Sequence, residues 1–430
     1  MMSLETLLAR VALVVLFFAP TAPAQDFILR GSRVQLPNGR LVEGLDVWVR
    51  GATIREIGPE IHGGPSTRVV LLHDRVVHPG LIDFGNQIGL TEVGSVRGTV
   101  DTREAEDFNP HLRILTGINP HSSHIPVARA NGILFSLVFA DAGIVSGLSP
   151  IVRLFGDDAS SMAIRPEAFL VVKVPRPKLP PLFERTPRAV RLAGRDAFAP
   201  LRKRFAKARR YFAAQKESVA RGTDAPPLDI HAEALRGILQ GEVPVLFRAD
   251  TVEAITAAVD FATAENLRFV LHGCRDAWKI ADFLAARKVD CILSGVYRRP
   301  PRGDPYDAVY ANAFHLHRAG VRIAFSTGSS SNVRNLPYEA AMAVSFGLPA
   351  AAARRALTSD AADILGLRRK IGTLSPGAEA TFFVSTGDIL DATSRVQEVF
   401  VRGRAIPATS RHTRLRDKFL KPREGDGTGR

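Results

Sequence analysis

Between Val76 and about Gly366 the chain alternates short apolar runs with helical patterns, and this alternation most constrains its fold. Runs at 133–139, 169–174, 243–247, 268–271, 291–293 and 321–325 are apolar with little or no polar face. Such runs need cover on both sides, which parallel strands obtain when helices flank them. The intervening stretches at 252–264, 277–287, 310–319, 338–346, 350–357 and 358–365 read as helices. Strands that alternate with helices specify a parallel β/α architecture. A chain of 430 residues holds one barrel of about 250 residues and a smaller module.

The two ends read differently. Residues 26–57 have strand character, with a hairpin signal at Pro37-Asn38-Gly39 and a second turn at Arg50-Gly51-Ala52. Two further strand patterns appear at 380–384 and 396–401, the latter followed by the turn residues Arg402-Gly403. At the start, Arg10, an apolar run over 11–19 and Ala22-Pro23-Ala24 form a secretory-signal pattern covering residues 1–24. The run is too short to span a bilayer, so the expectation is cleavage and a periplasmic or extracellular protein without a membrane span.

The net charge of +14 is localised. Residues 185–216 carry eleven basic residues against one acid, Asp196, and residues 411–430 carry seven against three. In the first segment Leu201, Phe205, Ala208 and Phe212 form an apolar helical seam, and Arg202, Lys203, Arg209 and Arg210 lie off it. That pattern is the solvated outer face of a docked helix; an anionic envelope surface is the alternative, and nucleic acid is not an expected partner of an exported chain. Cys274 and Cys291 are the only cysteines. They read as two buried thiols, with a disulfide as the alternative in an exported protein. Past Pro422 the tail reads as disordered.

The stretch Arg75-Val-Val-His-Pro-Gly-Leu-Ile-Asp-Phe-Gly-Asn-Gln-Ile-Gly-Leu90 joins a Pro79-Gly80 break to a buried strand. Asp83 within that strand is costly unless hydrogen-bonded. The stretch resembles the first barrel strand of the amidohydrolase superfamily. The likeness extends through Ile118-Asn-Pro120, Ile125–Gly132, Ser146-Gly147, Asn335-Leu-Pro-Tyr-Glu-Ala340, Gly347-Leu-Pro349 and Ile364–Gly377. These motifs are similar to those of imidazolonepropionase-like and related exported amidohydrolases. The resemblance implies a (β/α)8 TIM-like barrel over 76–366 and a composite β-sandwich built from 25–75 and 367–408. Residues 409–430 remain as a basic tail.

The resemblance also implies metal-assisted hydrolysis of C–N bonds in amides, cyclic amides or N-acyl compounds, with zinc as the usual ion. At the family's ligand positions this chain has Gly85, Gln87, Arg248, His272 and Gly328. Of these only His272 is a ligand type; Lys173 is a candidate carboxylated lysine. Glycines offer nothing, a neutral amide binds zinc poorly, and a guanidinium repels a dication. Zinc is therefore not expected to bind here.

His272 and Asp250 are the catalytic candidates, as a His–Asp pair, with a packing role for His272 as the alternative. Arg248, Gln87, Thr327, Ser329 and Asn335 are the substrate-binding candidates. Arg248 needs an anionic partner, which is Asp250, Asp83 or a ligand carboxylate in the old metal position. His111, His121 and His124 in the polar segment 89–119 and just beyond match no standard ligand spacing and read as solvated. No Gly-x-Ser-x-Gly elbow or phosphate-binding glycine loop occurs. Two functions follow: a hydrolase of C–N bonds, or a metal-free barrel that binds a small anionic or peptide-like ligand. The partner in either case is a small-molecule amide, N-acyl or anionic compound, and the polar mouth loops suit a homodimer.

Overall fold

The computed structural model describes residues 26–141, 143–175, 181 and 184–420. The expected signal segment, most of the proline-rich linker after Pro175 and the end of the tail lie outside the described residues.

The first hairpins form where the turn signals stand. Strand β1 (Phe27–Gln35) pairs antiparallel with β2 (Leu41–Arg50), and β2 with β3 (Thr53–Gly58). The β1–β2 turn uses Gly39 at φ +79°, backbone that a side chain rarely adopts. Next come β4 (Arg68–Leu71) and β5 (Val76–Pro79), both parallel to β1. The C-terminal strands β14 (Phe382–Ser385), β15 (Val396–Val401) and β16 (Arg404–Ile406) complete this sheet in the order β16-β15-β14-β5-β1-β2-β3. Both ends of the chain thus build one module. Val76–Pro79 belongs to it and not to the barrel, because β5 pairs with β14 on one side and β1 on the other. Pro79-Gly80 marks the crossing from one sheet to the next.

The second sheet starts at β6 (Leu81–Asn86) and continues through β7 (Ile133–Val138), β8 (Val145–Arg153), β9 (Ala163–Lys173), β10 (Val245–Ala249), β11 (Phe269–Gly273), β12 (Cys291–Ser294) and β13 (Ile323–Ser326), each beside its predecessor. Phe84, Phe135, Phe169, Phe247, Phe261 and Phe325 are fully buried in and around it.

The (β/α)8 expectation holds with one reversal. Strand β8 is antiparallel to both β7 and β9. The chain between β7 and β8 spans only residues 139–144, too few for the crossover of a dozen or more residues that parallel strands require. The expected single helix over 196–220 is two, Pro187–Ala197 and Ala199–Arg221, which meet at Phe198. The apolar seam of the second is as read: Leu201, Phe205 and Ala208 are buried, and Lys203, Arg209 and Arg210 face outward.

Polar contacts bolt the two sheets together. Arg153 at the end of β8 donates two hydrogen bonds to Glu379, at 2.9 and 2.6 Å. Gln35 bridges the Thr358 hydroxyl (3.1 Å) and His78 Nδ1 (2.8 Å). Burial, with the nearby Arg354 and Arg33 charges, lowers the His78 pKa to about 3, against the opposing pull of the Gly387 carbonyl. His78 is therefore a neutral structural imidazole stacked on Phe383, not a site residue. Among the described residues no helix is long and apolar enough to cross a membrane.

The side chains of Arg153 and Glu379 are only 11% and 17% exposed. Arg153→Ala should cost about 3 kcal/mol in urea unfolding, since it strands a buried carboxylate. The double variant Arg153→Met with Glu379→Gln should recover most of that loss; equal destabilisation by both would contradict this role.

Candidate functional site at the barrel mouth

The strand ends β6, β7, β9, β10, β11 and β13 bring Gly85, Asp141, Lys173, Arg248, His272 and Ser326 to one mouth. Parallel register sets Arg248 beside Lys173 on one side and beside His272 on the other.

No ladder joins the two end strands, β6 and β13, among the described residues. Three groups close the seam instead. The Gly85 carbonyl accepts from Gly328 N (3.1 Å) and from the Ser326 hydroxyl (2.5 Å). The Asp83 carboxyl meets Thr327 N (3.2 Å) and the Thr327 hydroxyl (2.5 Å). Ser326 gives its proton to Gly85, so His272 Nε2, 2.9 Å from the Ser326 oxygen, acts as the donor there and Nδ1 keeps its lone pair. Burial, then the Arg248 and Arg298 charges, lower the His272 pKa to about 3, so the ring is neutral near neutral pH.

Gly85 sits at φ +140°, and a Cβ there would lie 2.6 Å from the Phe139 ring and 2.9 Å from His272 Nε2. Those two rings meet edge to face, 5.3 Å apart. They occupy the space that a side chain at position 85 would need. A Cβ on Gly328 would meet the Ser294 hydroxyl at 2.8 Å.

Arg248 does not pair with Asp250 or Asp83. Its guanidinium bonds Asp141 and lies over the Phe139 ring, 4.8 Å from the centroid. Its Nε is buried without a partner. Lys173 Nζ lies 3.7 Å from the same Asp141 carboxylate. Burial pushes the Asp141 carboxyl up, and the charges of Arg248, Lys173 and Arg103 outweigh that and hold it below its ordinary value.

The expected His272–Asp250 pair does not form. Asp250 Oδ1 is buried without a partner and lies over Gly273, where a Cβ would stand 2.5 Å from it. Asp250 lies past the β10 end, beyond the register pair Arg248–His272, and no hydrogen bond joins its carboxylate to His272 among the described residues.

The substrate-binding candidates scatter. Gln87 is half-buried just past β6 and forms no side-chain hydrogen bond within the described chain. Thr327 is committed to Asp83, and the Ser329 hydroxyl faces that of Ser331 at 3.4 Å. Asn335 precedes the helix Leu336–Ser345 and makes no side-chain cap bond. Among the loop histidines, His124 bonds the Glu92 carbonyl and His111 packs on His231. Among the described residues no three His, Cys, Asp or Glu side chains are placed to hold a metal ion.

Sequence reasoning missed Asp141, Phe139 and Glu339. Asp141 stood in view as the first acid after a strand apolar but for Ser136, the place where barrel enzymes put polar groups. Phe139 gave no signal, because nothing local says which cavity its ring fills. Glu339 is buried and accepts from Val296 N (3.1 Å), and burial, eased by this bond, raises its pKa to about 7.

A carboxylate binder or a water-activating metal needs different donors. Zinc wants three His, Asp, Glu or Cys ligands around an open position. Here one imidazole is bonded to a serine, a guanidinium stands beside it, and position 85 has no room for a ligand. The residues present do not fit the ion.

The comparisons agree on kinship. The amidohydrolase family model matches residues 308–406. The amidohydrolase tasK of Hapsidospora irregularis is 23% identical over 397 residues, covering 84% of this chain. The chain spans only 39% of that relative's length. Among solved structures, an amidohydrolase from Thermotoga maritima MSB8 superposes with a TM-score of 0.78 at 22% identity, covering 89% of this chain and 99% of the other. Molinate hydrolase superposes with a TM-score of 0.54 at 13% identity, covering 90% of this chain and 96% of its own. With the two-module fold, these matches show that the chain is similar to amidohydrolase-superfamily proteins.

Two outcomes follow from the seam. Gly85→Ala should destabilise the fold by about 2 kcal/mol or more, through overpacking against Phe139 and strain at positive φ; an unchanged thermal midpoint would contradict the packing. Burial raises the Asp83 pKa from 3.8 to about 7, despite the Thr327 hydrogen bonds. The folded chain then keeps a proton that the unfolded chain has lost, so this contribution is present at low pH and declines as pH climbs from about 4 to about 7. Asp83→Asn should remove that decline, and its stability relative to wild type should rise across this window; parallel pH curves would count against it.

Proposed function

We propose that this chain is a metal-free member of the superfamily that binds a small carboxylate at the barrel mouth and does not hydrolyse C–N bonds by the family's metal route. The observation that carries this reading is the Arg248 guanidinium. It stands at a metal-ligand position beside neutral His272, its Nε is unpartnered, and its side chain remains 22% exposed. Arg248, Lys173 and Arg103 all act on the single carboxylate of Asp141. A ligand carboxylate competes for this cationic cluster, with Arg248 as its planar anchor. Neutral His272 lacks the second anchored acid or base that a proton relay would need, because no hydrogen bond joins it to Asp250 among the described residues.

The ligand class follows from the same chemistry: a compact anion such as an N-acyl amino acid, recognised by its carboxylate. Gln87 Nε2 and Oε1, without hydrogen-bond partners among the described residues, suit the amide of such a ligand. The alternative, an active hydrolase of C–N bonds, draws support from kinship alone.

Titration calorimetry with N-acyl amino acids should give binding that weakens about tenfold or more in Arg248→Ala, the cost of one charge-assisted hydrogen bond. Elemental analysis after zinc loading and dialysis should find no stoichiometric metal. Stoichiometric zinc with turnover of those compounds, or affinity unchanged in Arg248→Ala, would refute the proposal.

A further inference from the structure

The helix Arg411–Leu420 near the end of the described chain buries none of its residues. Its start is fixed. Thr413 N donates to the Ser410 hydroxyl (3.3 Å), and Ser410 N donates to the Thr413 hydroxyl (2.8 Å). Ser410 is buried, and the helix runs past the helix His124–Arg129. Beyond that anchor everything faces solvent: Leu415 is 41% exposed, Phe419 76% and Leu420 73%.

Leu415 and Phe419 are four residues apart and share one side of the helix, and Leu420 adjoins them. Arg411, Arg414 and Lys418 have no carboxylate within ion-pair distance among the described residues. Asp417 pairs with Arg416 at 2.6 Å. A helix this short is marginal on its own in water, and among the described residues Phe419 and Leu420 are mostly uncovered.

We propose that Arg411–Leu420 docks in the plane of an anionic lipid surface, with Leu415, Phe419 and Leu420 among the acyl chains and the arginines and Lys418 against headgroup phosphates. Charge selects this occupant. A second copy of the helix would set the same cations against each other, whereas an anionic bilayer supplies opposite charge and an apolar layer beneath it. The proposal does not depend on what the barrel mouth binds.

The test is vesicle co-sedimentation of the chain from Gln25 to Arg430, which holds every described element and omits the apolar leader. Vesicles of equimolar phosphatidylcholine and phosphatidylglycerol should carry the protein down, and pure phosphatidylcholine should not. Salt should weaken the binding, and each of Arg411→Glu and Arg414→Glu should weaken it at least roughly fivefold. Phe419→Ser together with Leu420→Ser should weaken it about tenfold or more, with thermal stability unchanged. No sedimentation, equal sedimentation with the neutral vesicles, or binding indifferent to these variants would overturn the proposal. So would concentration-dependent self-association that the Phe419→Ser and Leu420→Ser pair abolishes.

Discussion

The hydrogen bonds around Gly85 and Asp83 hold the ends of the barrel sheet together. Strands β6 and β13 have no ladder between them, so the Gly85 carbonyl, the Ser326 hydroxyl and the Asp83–Thr327 pair replace it. Each bond is buried, where an unmade partner is expensive and a made one is strong. His272 joins the same network through Ser326.

That closure explains why the mouth differs from a metal-binding one. Ser326 occupies His272 Nε2, and Phe139 and His272 occupy the space beside Gly85. Arg248 contributes a charge of the sign that an ion would have brought. Asp141 steadies it, and Phe139 supports its face. Positive charge thus stands at the mouth, beside a strand end with no room for a side chain at position 85.

Much of the architecture was legible in sequence because burial acts locally. Two-faced apolar runs mark strands covered on both sides, and seam spacing at Leu201, Phe205 and Ala208 marks a docked helix. The reversal of β8 was readable in principle from the short span after Phe139, which leaves no length for a crossover. The placement of Val76–Pro79 was harder, since an apolar strand fits either sheet and only its partners, β1 and β14, decide. At the site, residue types at motif positions named Gly85, Gln87, Arg248, His272 and Gly328. The expected partners of Arg248 are Asp250, Asp83 or a ligand carboxylate, whereas the structure pairs it with Asp141, 107 residues away along the chain.

The sequence by itself determined the two-module fold, the likeness to amidohydrolases and the residue types at the mouth, because each depends on what a residue is and on its spacing from near neighbours. Only the tertiary structure decided that Arg248 belongs to Asp141, that Asp250 makes no hydrogen bond to His272, and that Phe139 fills the space at Gly85. Those are contacts between strand ends far apart in the chain. Their energies depend on distance and burial, which appear only once the barrel has closed.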